Sequence, residues 1–205
     1  MPLVLRKGWV RGYERRGPSG RKVVVRAYWR EHLKPVGAGT WRDLGLPNWE
    51  SLASHRALAP FPEWDYKQWL LPARLMAYMM HFLPGLEKGS DGIPYLVAKD
   101  GVHVRLEPGG LVHLQKRPDQ RRIGALPALV VTLKHPWEIW RQPVAKDRSA
   151  GRLYMRAFRG SRRQKAAVVI ARVAQGRVTW WTTLAMSDPH DVDQKRHGTL
   201  LWKDY

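Results

Sequence analysis

The chain has 205 residues, 44% of them hydrophobic, and a formal net charge of +19. That length suffices for one proper core, or a core with a smaller appendage. The absence of cysteine excludes disulfide scaffolds, zinc–thiolate sites and a thiol nucleophile, and nothing calls for an oxidising compartment. The longest apolar run, Trp69 to Leu83, is broken by Pro72, Arg74 and His81 and falls short of the roughly 20 residues of a bilayer span. With no signal-peptide pattern at its start, the sequence reads as soluble and cytoplasmic, without a membrane partner.

The charge is clustered. Residues 1–34 carry 10 Lys and Arg against 2 Asp and Glu, and residues 145–187 carry 10 against 1, whereas residues 35–94 carry 5 against 6. Clustered cations are the footprint of a phosphate-binding surface, and 24 Arg against 12 Lys suit planar bidentate contacts. Nucleic acid is the expected partner; an acidic protein or an anionic lipid answers to the same charge.

Residues 9–30 read as a β-hairpin, WVRGYERR and RKVVVRAYWR around the turn GPSG. On its second strand Arg26 and Tyr28 share a face, the one suited to phosphate and the other to stacking on a base. A basic solvated face explains the same alternation. This gives a hairpin arm over residues 1–34. Residues 35–90 form a Trp- and Pro-rich connecting region with one apolar helix, Pro72 to Leu83, whose Leu75, Met76, Met79, Met80 and Leu83 fall at helical spacing. The segment GLEKGSDGIP then opens a third unit, residues 91–205.

Within that unit, YLVAKDGVHVRLEPGG alternates as a hairpin turning at Lys99, Asp100 and Gly101. The stretch LVHLQKRPDQRRIGALPALVVTLKHPWEIWR reads as one or two helices, broken around Pro118 and Pro127 and ending near Trp140, with Glu138 and Arg141 as a helix-surface pair. Three strands follow, residues 151–158, 166–173 and 177–185, of which the nearly all-apolar second is expected to be central. On the last, Val178, Trp180, Thr182 and Leu184 share one face, and Arg177, Thr179, Trp181 and Thr183 the other. The expected class is α+β, a helix packed on a small antiparallel β-sheet, preceded by the basic hairpin and the helical connecting region.

In this order, a histidine segment (GGLVHLQKRP), a helix ending in HPWEIW, a strand with Tyr154 and Arg156, an apolar strand and a Thr-rich last strand, residues 95–187 resemble the phage nuclease branch of the barnase, EndoU, colicin and RelE-like superfamily. The resemblance rests on order and character, and the superfamily occurs in phage, mobile-element and toxin proteins. It implies a metal-independent endoribonuclease without cofactor, in a host cell or virion-associated. By position, His113 matches the helix-associated histidine, Tyr154 and Arg156 the basic strand, and Thr182 or Thr183 the final-strand hydroxyl. Lys116, Arg117, Arg162, Arg163, Lys165 and Arg177 supply further phosphate-binding charge.

Members often carry a second histidine shortly after the first, and here Pro118 holds that place; His135, His190 and His197 are the remaining partners for an acid/base pair. Cleavage through the RNA 2′-hydroxyl needs a base, an acid and cations for the developing charge, which makes RNA the favoured substrate over DNA. Each residue also has a plainer reading: His113 as a surface histidine, Arg156 as a solvated charge, Thr182 and Thr183 as strand formers. The other functional readings are a non-catalytic nucleic-acid-binding phage protein, either a degenerate nuclease or a structural or packaging component, and a protein that captures an acidic host factor. Asp188, His190, Asp191, Asp193 and His197 are close in sequence, but their spacing fits no ligand motif, so a polar turn and no metal site are expected.

Overall fold

In the computed structural model the described residues are 6–10, 13–16, 22–25, 28–32, 37–62, 77, 79, 83–116, 120–144, 150–160 and 164–205. The chain forms two compact units, Met1–Pro35 and Val36–Tyr205. In the first, β1 (Arg6–Val10) pairs antiparallel with β4 (Tyr28–His32), and β2 (Tyr13–Arg16) with β3 (Lys22–Val25). Arg26 and the GPSG turn lie outside the described residues, as does the side chain of Tyr28, whose backbone pairs with Val10.

The second unit is built on one nine-stranded sheet, in the order β5 (Gly37–Thr40), β13 (His197–Lys203), β9 (Glu138–Val144), β10 (Ala150–Arg159), β11 (Gln164–Ala174), β12 (Arg177–Met186), β8 (His103–Arg105), β7 (Pro94–Val97), β6 (Leu86–Lys88). All neighbours are antiparallel except β12 and β8, joined in parallel through Val178–Val104 and Thr179–Arg105. This corrects the expected helix on a small antiparallel sheet: the sheet is large, mixed and covered on both faces.

Two readings account for the difference. HPWEIWR does not end a helix. The helix Ala128–Lys134 stops at His135 (φ −133°, ψ 54°), because Pro136 disfavours the helical region in the residue before it. Glu138 to Val144 then run as a strand whose Ile139 and Trp140 are both fully buried, one in each core. A strand buried on both faces has no alternation, and its apolar pair reads equally as a helix end. The tail SDPHDVDQKRH, in turn, is more than a polar turn. Asp188 caps a short helix by accepting from His190 N (2.9 Å), and the chain returns as β13 between β5 and β9.

One core contains Leu114, Ile123, Leu129, Leu133, Ile139, Tyr154, Val169 and Trp180, beneath α2 (Pro108–Lys116), α3 (Gln120–Ile123) and α4 (Ala128–Lys134). The other contains Trp49, Leu52, Trp137, Trp140, Leu153, Met155, Val168, Val192 and Leu200, beneath α1 (Trp49–Ser54) and α5 (Pro189–Asp193). Strand β11 is fifth of nine, as its apolar sequence predicts. The hairpin at Lys99–Gly101 is β7–β8, with Gly101 at φ +72°. Most of the helix expected at Pro72–Leu83 lies outside the described residues; Met79 and Leu83 are buried in the first core.

Gly198 (φ +103°) is where β13 presses closest on β9, and a Cβ there would be driven into the Arg141 carbonyl oxygen. Gly198→Ala is expected to cost about 1–3 kcal/mol through strained backbone alone. A urea midpoint that matches the parent would refute this.

Candidate functional site

The alternation expected on β12 is broken by a β-bulge. Ile170 pairs with Thr182 and Ala171 with Trp180, so Trp181 is the extra residue. An inserted residue resets which face the following side chains take. Thr183 therefore comes round to the face of Trp180, is fully buried, and accepts a hydrogen bond from the Trp180 indole Nε1 at 3.1 Å. Thr182 turns to the opposite core, also buried, with no hydrogen-bond partner for its hydroxyl among the described residues.

Trp181 is turned out of the ladder, and a cluster forms on it. Helix α2 lies directly against β12: a Cβ on Gly110 would sit 2.7 Å from the Trp180 carbonyl oxygen, so glycine is what lets the helix approach. This places the His113 ring on Trp181, with centroids 4.4 Å apart and planes at 31°. Arg122, from α3, reaches His113 Nε2 at 2.8 Å. Arg172, the one cation in the apolar run of β11, has its guanidinium carbon 3.6 Å from the Trp181 ring centre. Arginine only donates, so Nε2 accepts and the neutral ring carries its proton on Nδ1. The cluster thus holds an imidazole, an indole and two guanidinium groups, each partly exposed.

The other expected catalytic residues lie elsewhere. Tyr154 is fully buried; its hydroxyl reaches Asp100 Oδ1 at 3.3 Å, and Arg152 binds Asp100 Oδ2 through Nε at 3.0 Å. Burial first, and the Asp100 charge second, hold the Tyr154 phenol far above the ordinary range. Arg156 donates from Nη1 to the His135 carbonyl at 2.5 Å and lies over Phe158. Burial, then the nearby Arg56 charge, make Arg156 a weaker base than an ordinary arginine. Arg156 pairs with Ala167, four residues along β11 from Ala171, which is about 13 Å from the bulge. His113 and Arg156 therefore do not converge.

Of the residues expected to bind phosphate, Lys165 lies 4.9 Å over the Phe61 ring and Arg177 is exposed at the start of β12. Arg117, Arg162, Arg163 and the Lys116 side chain lie outside the described residues. Arg122, Arg172 and Trp181 belong to the His113 cluster but were not singled out in the sequence as candidate site residues. Arg172 had a signal, a lone cation inside an apolar strand. Trp181 had one as well, its place by alternation on the polar face of the last strand, but its role as the extra residue depends on the bulge.

Asp193, singled out as a metal temptation, accepts instead from Trp49 N (3.0 Å) and Arg196 Nη1 (2.7 Å). Among the described residues no group of acidic or histidine side chains is arranged to hold a metal, and no helix is long and apolar enough to cross a membrane.

Residues 81–203, more than half of the chain, match the family described as phage-Barnase-EndoU-ColicinE5/D-RelE like nuclease2. The chain belongs to this family. No curated protein and no solved structure matches the chain significantly. The match takes in eight of the sheet's nine strands, β6 to β13, together with the His113 cluster, and runs past both ends of the stretch whose order carries the resemblance; only β5 lies outside it. Membership makes this protein a nuclease-like protein of phage type, and nucleic acid its implied substrate.

Proposed function

We propose that the protein is a metal-independent endoribonuclease in which His113 is the base. The observation that carries the reading is the bonded and stacked imidazole, held by Arg122 at 2.8 Å and lying on Trp181 beneath Arg172. His113 takes the 2′-hydroxyl proton, the 2′-oxygen forms its bond to phosphorus, and the bond from phosphorus to the 5′-oxygen breaks. The leaving oxygen takes a proton from solvent, giving a 2′,3′-cyclic phosphate and a 5′-hydroxyl. The incoming phosphate competes for Arg122 and draws it from Nε2, which frees the lone pair when substrate is in place. Arg122 and Arg172 then offset the charge that develops on the phosphorane oxygens. Trp181 offers a face on which a base stacks.

Labelled single-stranded RNA incubated with the protein in EDTA is expected to show cyclic phosphate ends, and His113→Ala to remove them. RNA that stays intact while bound would replace this reading with the second one, non-catalytic nucleic-acid binding. That alternative draws on the burial of Tyr154 and Thr183 and on the distance of Arg156 from His113. Both readings share one expected result. The logarithm of the binding constant falls steeply with the logarithm of salt, and Arg172→Ala lowers that slope by about one. A flat salt dependence would instead point to a protein partner.

A further inference from the structure

Toward the β5 edge of the sheet, two adjoining cavities open between β5, β9, β13 and α5. They measure about 290 and 790 Å³ and share Thr40 and His197 in their walls. Both carboxylates facing this space are already engaged. Asp43 accepts from Thr40 N (2.7 Å) and Thr40 Oγ1 (2.8 Å), which holds its carboxyl below the usual range, and Asp193 is bound by Arg196. Of the three arginines in the walls, Arg196 is paired with Asp193 and Glu138, whereas Arg42 and Arg141 have no carboxylate partner among the described residues. The same walls carry the neutral polar side chains of Thr40, Gln142, His197 and Thr199. The His197 ring is fixed by donating from Nδ1 to the Gln194 carbonyl (3.0 Å) while Nε2 accepts from Gln142 Nε2 (3.3 Å). Gln142 spends its amide nitrogen there, so its side-chain carbonyl oxygen remains an acceptor.

We propose that this cleft binds a nucleotide of a single-stranded nucleic acid, with Arg141 and Arg42 on the phosphate and Gln142, His197 and Thr199 around the base. The volumes are those of sites that take small ligands, and the largely apolar walls carry cations beside a few hydrogen-bonding side chains. A carboxamide beside an imidazole offers both a donor and an acceptor to a base edge, the mode by which unstacked bases are read. An acidic peptide needs the cations alone and would leave these polar side chains unused.

The cleft also lies on a route. Its wall ends at Ala150 and Val173, which pair across β10 and β11; the neighbouring residue on β11, whose side chain leaves the strand's other face, is Arg172, the cation stacked on Trp181. From β13 to β12 is four inter-strand steps, about 19 Å, a length a few nucleotides span. That a single strand runs from the cleft to His113 rests on the proposed cleavage reading; that the cleft takes a nucleotide does not.

The test uses the full chain, with imidazole proton resonances assigned by His→Gln variants and titrated with uridine monophosphate, inorganic phosphate and a short single-stranded RNA. The His197 resonance is expected to move with the nucleotide and the RNA and to stay with inorganic phosphate. Arg141→Glu is expected to weaken nucleotide binding about tenfold and to leave the melting temperature unchanged, since this side chain is exposed. Thr199→Val, which keeps shape and charge, is expected to weaken it less. No His197 response, an equal response to inorganic phosphate, or unaltered affinity in a folded Arg141→Glu overturns the proposal. His113→Ala separates the two claims: it should keep the His197 response while losing cleavage, so a chain that never cleaves but shows the response sinks only the ribonuclease reading.

Discussion

Arg196→Met is expected to lose about 3–5 kcal/mol of stability, the largest effect of any single substitution considered for this chain. Arg196 is fully buried, as is Glu138, and the two meet through Nη2–Oε1 at 2.5 Å and Nε–Oε2 at 2.8 Å. Around them, Trp140 Nε1 donates to Glu138 Oε2 at 2.6 Å, the Tyr205 hydroxyl donates to Glu138 Oε1, and Arg196 also reaches the Pro47 carbonyl and Asp193. Burial opposes the Arg196 charge, but the Glu138 contacts outweigh it and leave the guanidinium a stronger base than usual. Removing the arginine leaves Glu138 with its charge in a dry core. The pair also ties four separate stretches together: the segment before α1, the start of β9, the end of α5 and the C-terminus. Urea unfolding at neutral pH reads the loss as a lower midpoint at unchanged slope. Glu138→Leu combined with Arg196→Met is expected to recover much of it, because a buried pair replaced by apolar groups no longer leaves a lone charge. A single variant as stable as the parent would show that water reaches the site.

The second large effect is on activity. His113→Ala is expected to lower RNA cleavage by about 10²–10⁴-fold, the usual contribution of one positioned acid or base. Binding should change far less, because the proposed mechanism assigns the phosphate contacts to Arg122 and Arg172. Trp181→Leu should show the complementary pattern: single-strand affinity falls by about 1–3 kcal/mol through the lost stacking surface, and cleavage falls with it. Arg122→Gln keeps a donor toward His113 Nε2 but removes the charge, so it separates holding the imidazole from stabilising the phosphorane. Quenched-flow product analysis alongside equilibrium binding distinguishes these cases. Equal loss of binding and cleavage in His113→Ala would make the histidine a packing residue and transfer the role elsewhere.

The parts of this protein that were legible in sequence are those with a local cause. The β10, β11 and β12 strands, the turn at Gly101 and the central place of β11 follow from alternation, glycine and an apolar run. His113 was singled out as a candidate through the order of elements around it. What stayed hidden depended on partners far along the chain. Glu138 read as a helix-surface residue because its partner, Arg196, is 58 positions away. Thr183 read as a working hydroxyl because nothing local announces the bulge that turns it inward. Arg156 read as part of the His113 site because the sequence gives its strand and its face but not how far along the ladder the histidine docks.

By itself, then, the sequence determined the family resemblance, the cationic character that answers to nucleic acid, and the identity of strands such as β10, β11 and β12, since hydrophobic period and charge are local properties. Tertiary structure alone decided that the C-terminal tail enters the sheet, that both faces are covered, and that Trp181, Arg122 and Arg172 surround His113. Those outcomes are set by strand register, one inserted residue and a glycine contact between helix and strand, and these exist only once distant segments are packed together.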